Sequence, residues 1–288
     1  MNLVTRILAA LAASLLFGTA SAAVGSYPLD PFPTDKLTHE PSLQRGAKLF
    51  VNYCLNCHSA SLMRYNRLRD IGLTDEQIRE FLVLDPEGKV GDLMTIAMRP
   101  ADAKTWFGAV PPDLSVTARA RSSGAGSGAD WIYTYLRAYF RDDTRPHGWN
   151  NALFEGVGMP HVLWELQGPR GATLQEIKEV EDEAGNGSAF VRTTVVFGVD
   201  GTRTETTEKL DGHNLHPSRQ WTLGEAQGGK LSQAEFDATV ADLTAFLTYV
   251  SDPSARARVR LGVWVLLFLG VFTVFAWMLN REYWKDVK

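Results

Sequence analysis

Two cysteines stand three residues apart and are followed at once by a histidine, and no other cysteine occurs among the 288 residues. The segment reads C-L-N-C-H, with thiols at Cys54 and Cys57 and an imidazole at His58. Two thiols are too few for a scaffold of several disulfides or for a four-thiolate zinc or iron–sulfur site. The pattern C-x-x-C-H is typical of c-type haem attachment, in which each thiol adds to one vinyl group of the porphyrin and the histidine ligates the iron.

Three other interpretations of this motif remain open at this point. A redox pair of the thioredoxin type does not require the histidine, a zinc knuckle needs a second pair of ligands nearby, and an incidental disulfide needs only the two thiols. Composition favours the haem motif, because two cysteines and six histidines produce this arrangement by chance in roughly one of 7,000 such chains.

Both ends of the chain carry apolar segments, and the two segments differ in kind. Residues 1–22 combine a positive charge at Arg6, a short apolar stretch and the A-x-A pattern at 20–22, which predicts a cleaved signal peptide. Residues 261–279 carry no charge and would span roughly 28 Å as a helix, enough for one membrane crossing. We therefore predict a transmembrane anchor over residues 256–280.

Basic residues flank this anchor on both sides, so the positive-inside rule alone does not orient it. The export signal gives the direction: residues 23–255 are predicted to form a periplasmic haem-c domain, and residues 281–288 a cytoplasmic tail. The protein would then lie in the cytoplasmic (inner) membrane of a bacterium, with its haem on the side where c-type haem is attached. The net charge of -4 argues against nucleic acid as a partner.

Periodic patterns predict a mainly α domain. Helical spacing of apolar residues indicates helices near residues 42–54, 75–82, 130–140 and 232–250, the last beginning with a capping box of Ser232 and Glu235. Alternating segments at 190–199 and 202–210 flank a V-D-G turn and predict a β-hairpin. Before the hairpin, residues 175–187 are acidic and glycine-punctuated.

The sixth iron ligand distinguishes a closed electron carrier from a haem site that is open to small molecules. Met159 stands in the segment G-V-G-M-P, where glycine and proline indicate a loop that can direct a flexible thioether at the iron. We therefore predict Met159 as this ligand. Such a ligand gives a low-spin iron with a raised potential.

The other candidates fit less well. Met63 follows His58 by only five residues, too few to reach the opposite haem face. Met94 and Met98 have the spacing i, i+4, which favours core packing on a helix. The histidines His147 and His161 are rival ligands, interpreted instead as a surface residue and a loop residue, respectively.

Several short motifs occur together in a fixed order. They are C-L-N-C-H at 54–58, M-R-P at 98–100, P-P-D-L-S at 111–115, R-A-R at 119–121 and G-M-P at 158–160, followed by the single C-terminal anchor. The set resembles cytochrome c1 of the quinol:cytochrome c oxidoreductase (bc1) complex in its proteobacterial form, over most of the mature chain. The resemblance implies a c-type cytochrome fold with long inserted loops, a small β-hairpin and one transmembrane helix.

The resemblance also implies one covalently attached haem c. Cys54 and Cys57 would carry the thioether bonds, and His58 and Met159 would be the axial ligands.

Three further residues acquire expected roles from the same resemblance. A carbonyl of Pro111 or Pro112 would accept a hydrogen bond from His58, fixing the ring and raising its donor strength. Arg121 would pair with a haem propionate. Trp131 stands where the family often has a tyrosine near the propionates, and this departure leaves the hydrogen bond of that position unassigned.

In function, the resemblance implies a relay of single electrons from a Rieske iron–sulfur subunit to a c-type cytochrome, with the anchor beside cytochrome b. Such a protein is an electron-transfer subunit and not a stand-alone catalyst, and no triad, P-loop or dinucleotide motif stands out. Two alternatives are a c-type subunit of a terminal oxidase and a haem sensor or enzyme with an open sixth position.

Two segments keep no assigned role at this stage. Residues 186–210 depart from the mitochondrial pattern and are interpreted as a lineage-specific insert. The acidic run at 176–183 would either steer a basic acceptor or be a solvated loop.

Overall fold

A computed structural model gives the structure of residues 27–181, 188–210 and 215–286. The predicted signal peptide, residues 1–22, lies outside the described residues, as do residues 182–187 of the acidic segment. The described chain is mainly helical, contains some strands and ends in a long apolar helix, which confirms the predicted fold class.

Helices surround the core, and most of the strands lie together in the second half of the domain. The α-helices are α1 (Glu40–Leu49), α2 (Asp75–Phe81), α3 (Pro100–Phe107), α4 (Thr117–Ala120), α5 (Gly128–Arg137), α6 (Trp164–Gln167), α7 (Gln233–Ser251) and α8 (Ala255–Tyr283). Two 3₁₀ helices (Thr34–Leu37 and Tyr65–Ile71) and a π-helical turn (Phe50–Cys54) complete them. The strands are β1 (Ala60–Arg64), β2 (Leu93–Met94), β3 (Tyr139–Arg141), β4 (Trp149–Asn151), β5 (Ala172–Glu181), β6 (Ser188–Phe197), β7 (Arg203–Leu210) and β8 (Ser218–Leu223).

Helices α1 and α7 pack directly against each other at the centre of the core. A Cβ atom at Gly46 would overlap the carbonyl oxygen of Asp242 and the Cβ of Phe246, so only glycine allows this approach. The predicted capping box of α7 is present: Ser232 accepts from the backbone N–H of Glu235, and the Glu235 side chain accepts from that of Ser232. These bonds satisfy two donors that a helix start otherwise leaves unpaired.

The carboxylate of Asp242 joins α7 to the N-terminal part of the domain. Its oxygens accept hydrogen bonds from Lys36 Nζ at 2.9 Å and Arg45 Nε at 2.6 Å. Burial acts to raise the pKa of Asp242, but hydrogen bonds from Arg45, Lys36 and Ser42 outweigh it, so the pKa lies below its usual range. A buried charge of this kind stabilises the fold only while its partners stay in place.

Helix α5 is shorter than predicted. The sequence predicts a helix over 130–140, whereas α5 ends at Arg137 and residues Tyr139–Arg141 form β3, paired with β4. Tyr139 and Phe140 are both fully buried, in two different apolar clusters. An extended strand places successive side chains on opposite faces, which a helix does not do.

The predicted hairpin is present as β6 and β7, and it belongs to a larger sheet. Four antiparallel strands lie in the order β7-β6-β5-β8. The sheet spans residues 172–223, so it begins earlier and ends later than the segment 186–210 that the sequence indicates. The two additional strands, β5 and β8, pair with each other although almost forty residues separate their ends.

The acidic run 176–183 is a strand as far as Glu181, so the loop interpretation is wrong for that part. Glu176 lies 2.9 Å from Lys178 and 3.9 Å from Arg219, measured between side-chain N and O atoms, which partly balances its charge. β5 forms ladders with strands on both sides, and long-range pairing of this kind overrides local composition.

One end of the sheet contacts the helical part through an apolar cluster and an ion pair. The ring of Phe140 lies 4.9 Å from that of Phe197 and 5.0 Å from that of Trp221, between centroids. Glu155 accepts from Arg219 Nη2 at 2.6 Å and from Trp221 Nε1 at 3.0 Å. The contact therefore falls on the loop that leads from β4 towards Met159.

The chain enters and leaves the sheet at neighbouring points. The N–H of Gly224 donates to the carbonyl of Gly171 at 2.9 Å, and the N–H of Gln227 donates to that of Pro169 at 2.9 Å. The accepting residues lie just after α6 along the chain, and the donating residues lie just after β8.

Helix α8 is long and apolar enough to cross a membrane, and it is the one such helix among the described residues. It spans 29 residues, has a mean hydropathy of 2.3 in its apolar window, and buries none of that window. The helix contains the predicted segment 261–279.

Candidate functional site

The C-x-x-C-H segment lies where α1 ends. The helix continues through the π-helical turn Phe50–Cys54, and the N–H groups of Cys57 and His58 both donate to the carbonyl of Cys54, at 3.0 and 2.9 Å. This tight turn brings both thiols and the imidazole together. Cys54 is buried, Cys57 is half-buried, and both thiols are free.

The environment of Cys54 argues against two of the alternative interpretations. Burial raises the pKa of the Cys54 thiol to about 12, with a smaller contribution from Cys57. A thioredoxin-type nucleophile or a zinc ligand requires a thiolate, which a lowered pKa favours. In the described part of the chain, no group of three or more histidine, cysteine or acidic side chains is placed to hold a metal ion.

One hydrogen bond fixes the imidazole of His58. Its Nδ1 lies 2.7 Å from the carbonyl oxygen of Pro112, so of the two prolines named above the contact is with Pro112 and not Pro111. A carbonyl only accepts, so Nδ1 carries the proton and Nε2 keeps a free lone pair. Burial lowers the pKa of His58 more than the Pro112 bond and the Asp113 charge raise it, so the ring is neutral at pH 7. Among the described residues Nε2 has no hydrogen-bond partner.

Asp113 explains why the P-P-D-L-S segment holds that carbonyl in place. Its carboxylate accepts from the backbone N–H groups of Ser61 and Ser115, each at 2.8 Å. Burial acts to raise the pKa of Asp113, and these hydrogen bonds outweigh burial and lower it. The N–H of Leu114 also donates to the carbonyl of Ser59 at 2.8 Å. The Pro112 loop is therefore fastened to the chain directly after His58.

Met159 lies on a loop held by two tyrosines that the sequence analysis did not single out. Tyr135 Oη donates to Met159 Sδ at 3.5 Å, and Tyr139 Oη lies 2.7 Å from Tyr135 Oη and 3.3 Å from the Met159 carbonyl. Burial raises the pKa of both hydroxyls, so both stay protonated donors. The i, i+4 spacing of Trp131, Tyr135 and Tyr139 in the sequence could have indicated that these rings lie on one face, although Tyr139 lies beyond the end of α5.

Two aromatic rings, Trp131 and Tyr135, connect Arg121 to Met159. Its guanidinium carbon is 4.1 Å from the ring centroid of Trp131, and Trp131 stacks on Tyr135 at 4.8 Å with an interplanar angle of 12°. These contacts form a continuous row from Arg121 to Met159. Arg121 is exposed and has no carboxylate partner within the described residues.

The rival histidines are engaged elsewhere. His161 is a loop residue as predicted, but it is buried: Nε2 lies 2.6 Å from Gln167 Oε1, and the ring stacks on Tyr139 at 4.7 Å. Burial lowers its pKa to about 3. His147 is half-buried, not the surface residue expected, and its Nε2 lies 3.1 Å from the carbonyl of Val157.

The other methionines occupy different surroundings. Met63 and Met94 are both buried in the main apolar core. Met94 lies in β2, opposite Ala60, and Met98 lies before α3, so the predicted helix through Met94 and Met98 is wrong. The pairing of β1 with β2 positions Met94. The i, i+4 spacing of Met94 and Met98 does not reveal such pairing.

The donor set fits a c-type haem. Two free thiols lie next to a neutral imidazole whose Nε2 is free, and contacts through Tyr135 and Trp131 connect a thioether to a guanidinium that has no carboxylate partner among the described residues. Beside Met159, a Cβ on Gly158 would meet no atom within 4 Å, and the large ring of Phe154 is 47% exposed. Open space and exposed apolar surface at this place suit a flat apolar ring.

Known proteins resemble the chain along most of its length. It is 43% identical over 252 residues to a cytochrome c1 of Allochromatium vinosum, which covers 87% of this chain and 86% of that one. It is 40% identical over 259 residues to a Nitrosomonas europaea protein named ammonia monooxygenase gamma subunit, covering 90% and 88%. It is 24% identical over 268 residues to a Bradyrhizobium diazoefficiens cytochrome b/c1, covering 85% of this chain and 33% of that protein.

The profile of the Cytochrome C1 family matches residues 33–168 and 225–287. The stretch between the two matches corresponds to the four-stranded sheet, residues 172–223. All the residues that build the site lie in the matched ranges, as does the apolar helix α8. The chain therefore belongs to the cytochrome c1 family and is a membrane-anchored c-type cytochrome of the bc1 complex.

Proposed function

We propose that this chain carries one covalently attached haem c and relays single electrons from a Rieske iron–sulfur protein to a c-type cytochrome acceptor. The observation that carries the proposal is the His58 arrangement: Nδ1 is bonded to Pro112 at 2.7 Å while Nε2 is free, next to two free thiols. A histidine ligand to a metal typically has its other ring nitrogen held by such an acceptor.

Four side chains would hold the haem. Cys54 and Cys57 would form the thioether bonds, and His58 and Met159 would ligate the iron. When bound, the haem supplies one-electron redox chemistry whose potential the axial ligands set. The Pro112 carbonyl keeps the His58 ring in one orientation and increases the electron density at Nε2.

Residues on the Met159 side would keep the coordination closed and position the haem edge. Tyr135 holds the thioether by its hydroxyl proton, which restricts the rotation of a flexible side chain. Arg121 would pair with a propionate, because its guanidinium is unpaired in the described chain and suits bidentate binding of a carboxylate. A closed site excludes exogenous ligands, and an electron carrier requires this exclusion.

The membrane arrangement is part of the proposal. Residues 1–22 would be removed after export, residues 23–255 would lie in the periplasm, and residues 281–288 would lie in the cytoplasm. Helix α8 would pack beside cytochrome b, and the name cytochrome b/c1 of the Bradyrhizobium relative supports this pairing. In this arrangement the chain acts as an electron-transfer subunit and not alone.

Removal of the thiols tests haem attachment. In the double variant Cys54→Ala/Cys57→Ala, we expect no haem to remain with the polypeptide after denaturing electrophoresis. Met98→Leu, which alters a half-buried sulfur elsewhere, is the matched control and should keep covalent haem. Covalent haem in the double variant would contradict the attachment sites.

Co-purification after gentle solubilisation tests the partners. Cytochrome b and a Rieske protein are expected with the full chain, together with reduction of its haem by added quinol. Subunits of a copper-containing terminal oxidase in their place would contradict the proposal. Co-purification with ammonia monooxygenase subunits would instead assign the chain the role named for its Nitrosomonas relative.

A further inference from the structure

A cavity of about 710 Å³ lies where α7 gives way to the anchor α8. Its lining combines Arg67 and Asp70 from the 3₁₀ helix, Tyr249 near the end of α7, and Arg256 and Arg260 from the first turns of α8. The cavity therefore joins the domain to the membrane-spanning helix, and it is separate from the haem-binding residues.

The charges around this cavity are not balanced. Arg67 pairs with Asp70 at 2.7 Å, and Tyr249 Oη lies 2.7 Å from the Arg67 carbonyl and 3.1 Å from Asp70 Oδ2. Arg256 and Arg260 have no hydrogen-bonding or ion-pair partner within the described residues. Three arginines therefore face one carboxylate, which leaves two positive charges for a ligand.

The arginines without a partner in the described chain lie on one face of α8, and Arg258, which does not line the cavity, is paired. It lies between the two unpaired arginines along the chain, and its Nη1 donates to Asp252 Oδ1 at 2.6 Å. Arg256 and Arg260 are one turn apart on the face that lines the cavity. The N-terminal end of α8, which carries a partial positive charge, lies at the same place.

The position along the anchor sets the depth of the cavity. Arg260 directly precedes the apolar segment 261–279, and Arg256 lies about 6 Å farther from it along the helix axis. This is the depth of lipid headgroups next to the hydrocarbon core. The following side chains Leu261 and Trp264 are 62% and 68% exposed, and they offer an apolar surface below the arginines.

We propose that this cavity binds the phosphate of an anionic phospholipid in the leaflet that faces the domain. Arg256 and Arg260 would donate to the phosphate oxygens, Arg67 would contribute from the domain side, and the acyl chains would lie along Leu261 and Trp264. Arginine binds phosphate in a bidentate manner, and basic pockets beside membrane helices suit such headgroups. The site goes beyond electron transfer and does not depend on the haem ligands.

The test uses the full haem-loaded chain in mild detergent micelles with added phosphatidylglycerol, and counts the retained lipid by native mass spectrometry. Wild-type protein should retain phosphatidylglycerol in preference to phosphatidylcholine. The double variant Arg256→Gln/Arg260→Gln should lower this retention by about tenfold or more, because each arginine near a membrane surface contributes separately. Arg256→Lys/Arg260→Lys should give an intermediate result, since lysine keeps the charge and loses the bidentate geometry.

Arg258→Gln is the matched control, because it removes the same charge from the same helix at an arginine that is already paired. It should retain phosphatidylglycerol as the wild type does. Arg67→Gln should weaken retention, which tests the contribution of the domain. An unchanged visible haem spectrum in each variant establishes that the domain is folded.

Three results would overturn the proposal. Equal retention by the double variant and the wild type would remove the role of the two arginines. An equal loss in Arg258→Gln would mean that only general surface charge acts. Displacement of the lipid by inorganic phosphate at equal concentration would assign a free-anion site.

Discussion

Helices α1 and α7 approach each other so closely that one carries a glycine at the contact, whereas the four-stranded sheet contacts the helical part through the end that carries Phe197 and Trp221. The outer strand β7 exposes every residue except its last, which is half-buried. The family profile covers the helices and omits the sheet. The proposed haem-binding residues therefore lie in the part of the domain that the profile matches, and the sheet, which lies outside that match, contacts the domain near the Met159 loop.

The largest effect is expected from Met159→Leu. Loss of the thioether should abolish the near-infrared methionine–iron band and allow carbon monoxide to bind the reduced haem, because the sixth position opens. Absorption spectra of the purified full chain measure both changes. Met63→Leu, which alters a buried core methionine, should keep the band. A persisting band in Met159→Leu would mean that another residue ligates the iron.

The next effect concerns the helix contact. Gly46→Ala should lower the free energy of unfolding by about 3 kcal/mol, because the added Cβ meets backbone atoms of α7 that cannot move away separately. Thermal and denaturant unfolding followed by circular dichroism measure the change. Gly91→Ala, where a Cβ meets no atom within 4 Å, is the control and should change stability little. Equal effects at both glycines would contradict the close packing of α1 and α7.

A pH-dependent effect is expected from Asp242→Asn. The pKa of Asp242 is lowered in the folded state, so its ion pairs stabilise the fold above the unfolded-state value of about 3.9 and this stabilisation is lost as the pH falls through the folded value. The variant should lose about 2 kcal/mol at pH 7 and should lose progressively less in acid. Urea unfolding at a series of pH values tests this sign. A loss that grows in acid would contradict it.

The smallest effect is expected where the sheet meets the Met159 loop. Glu155→Gln removes the ion pair with Arg219, and because both side chains are partly exposed the loss should be about 0.5 kcal/mol. The methionine–iron band should stay unchanged. Glu208→Gln, which breaks the exposed pair with Arg192 on the far strand, is the control. A weakened band in Glu155→Gln alone would contradict the independence of the sheet from the helical part, because the sheet would then act on the proposed haem ligand Met159.

The candidate site residues that the sequence singled out, whose roles toward haem are proposals, all stand in short local motifs. The thiols and His58 form a contiguous motif, Met159 stands between glycines and a proline, and the capping box at Ser232 needs only four residues. Helix α8 could be predicted for the same reason, because length and apolar character decide whether a helix can cross a membrane.

The parts that could not be predicted depend on contacts between distant segments. Strand β5 forms because β6 and β8 pair with it, although its composition is acidic. Met94 lies in a strand because Ala60 lies opposite it. Tyr139 reaches the Met159 carbonyl because the chain leaves the helix at Arg137, and helical periodicity does not place it there. Each of these outcomes is decided by tertiary pairing and not by propensity.

The hydrogen bonds from Gly224 to Gly171 and from Gln227 to Pro169 have a consequence for how this chain can vary. Because the two ends of the sheet segment are already neighbours, the segment can be lengthened, shortened or replaced without rerouting α6 or α7. Closing a short loop between neighbouring ends costs little chain entropy. We therefore expect the domain to accept exchange of a whole module at one point on its surface, while His58, Met159 and the residues that hold them keep their positions.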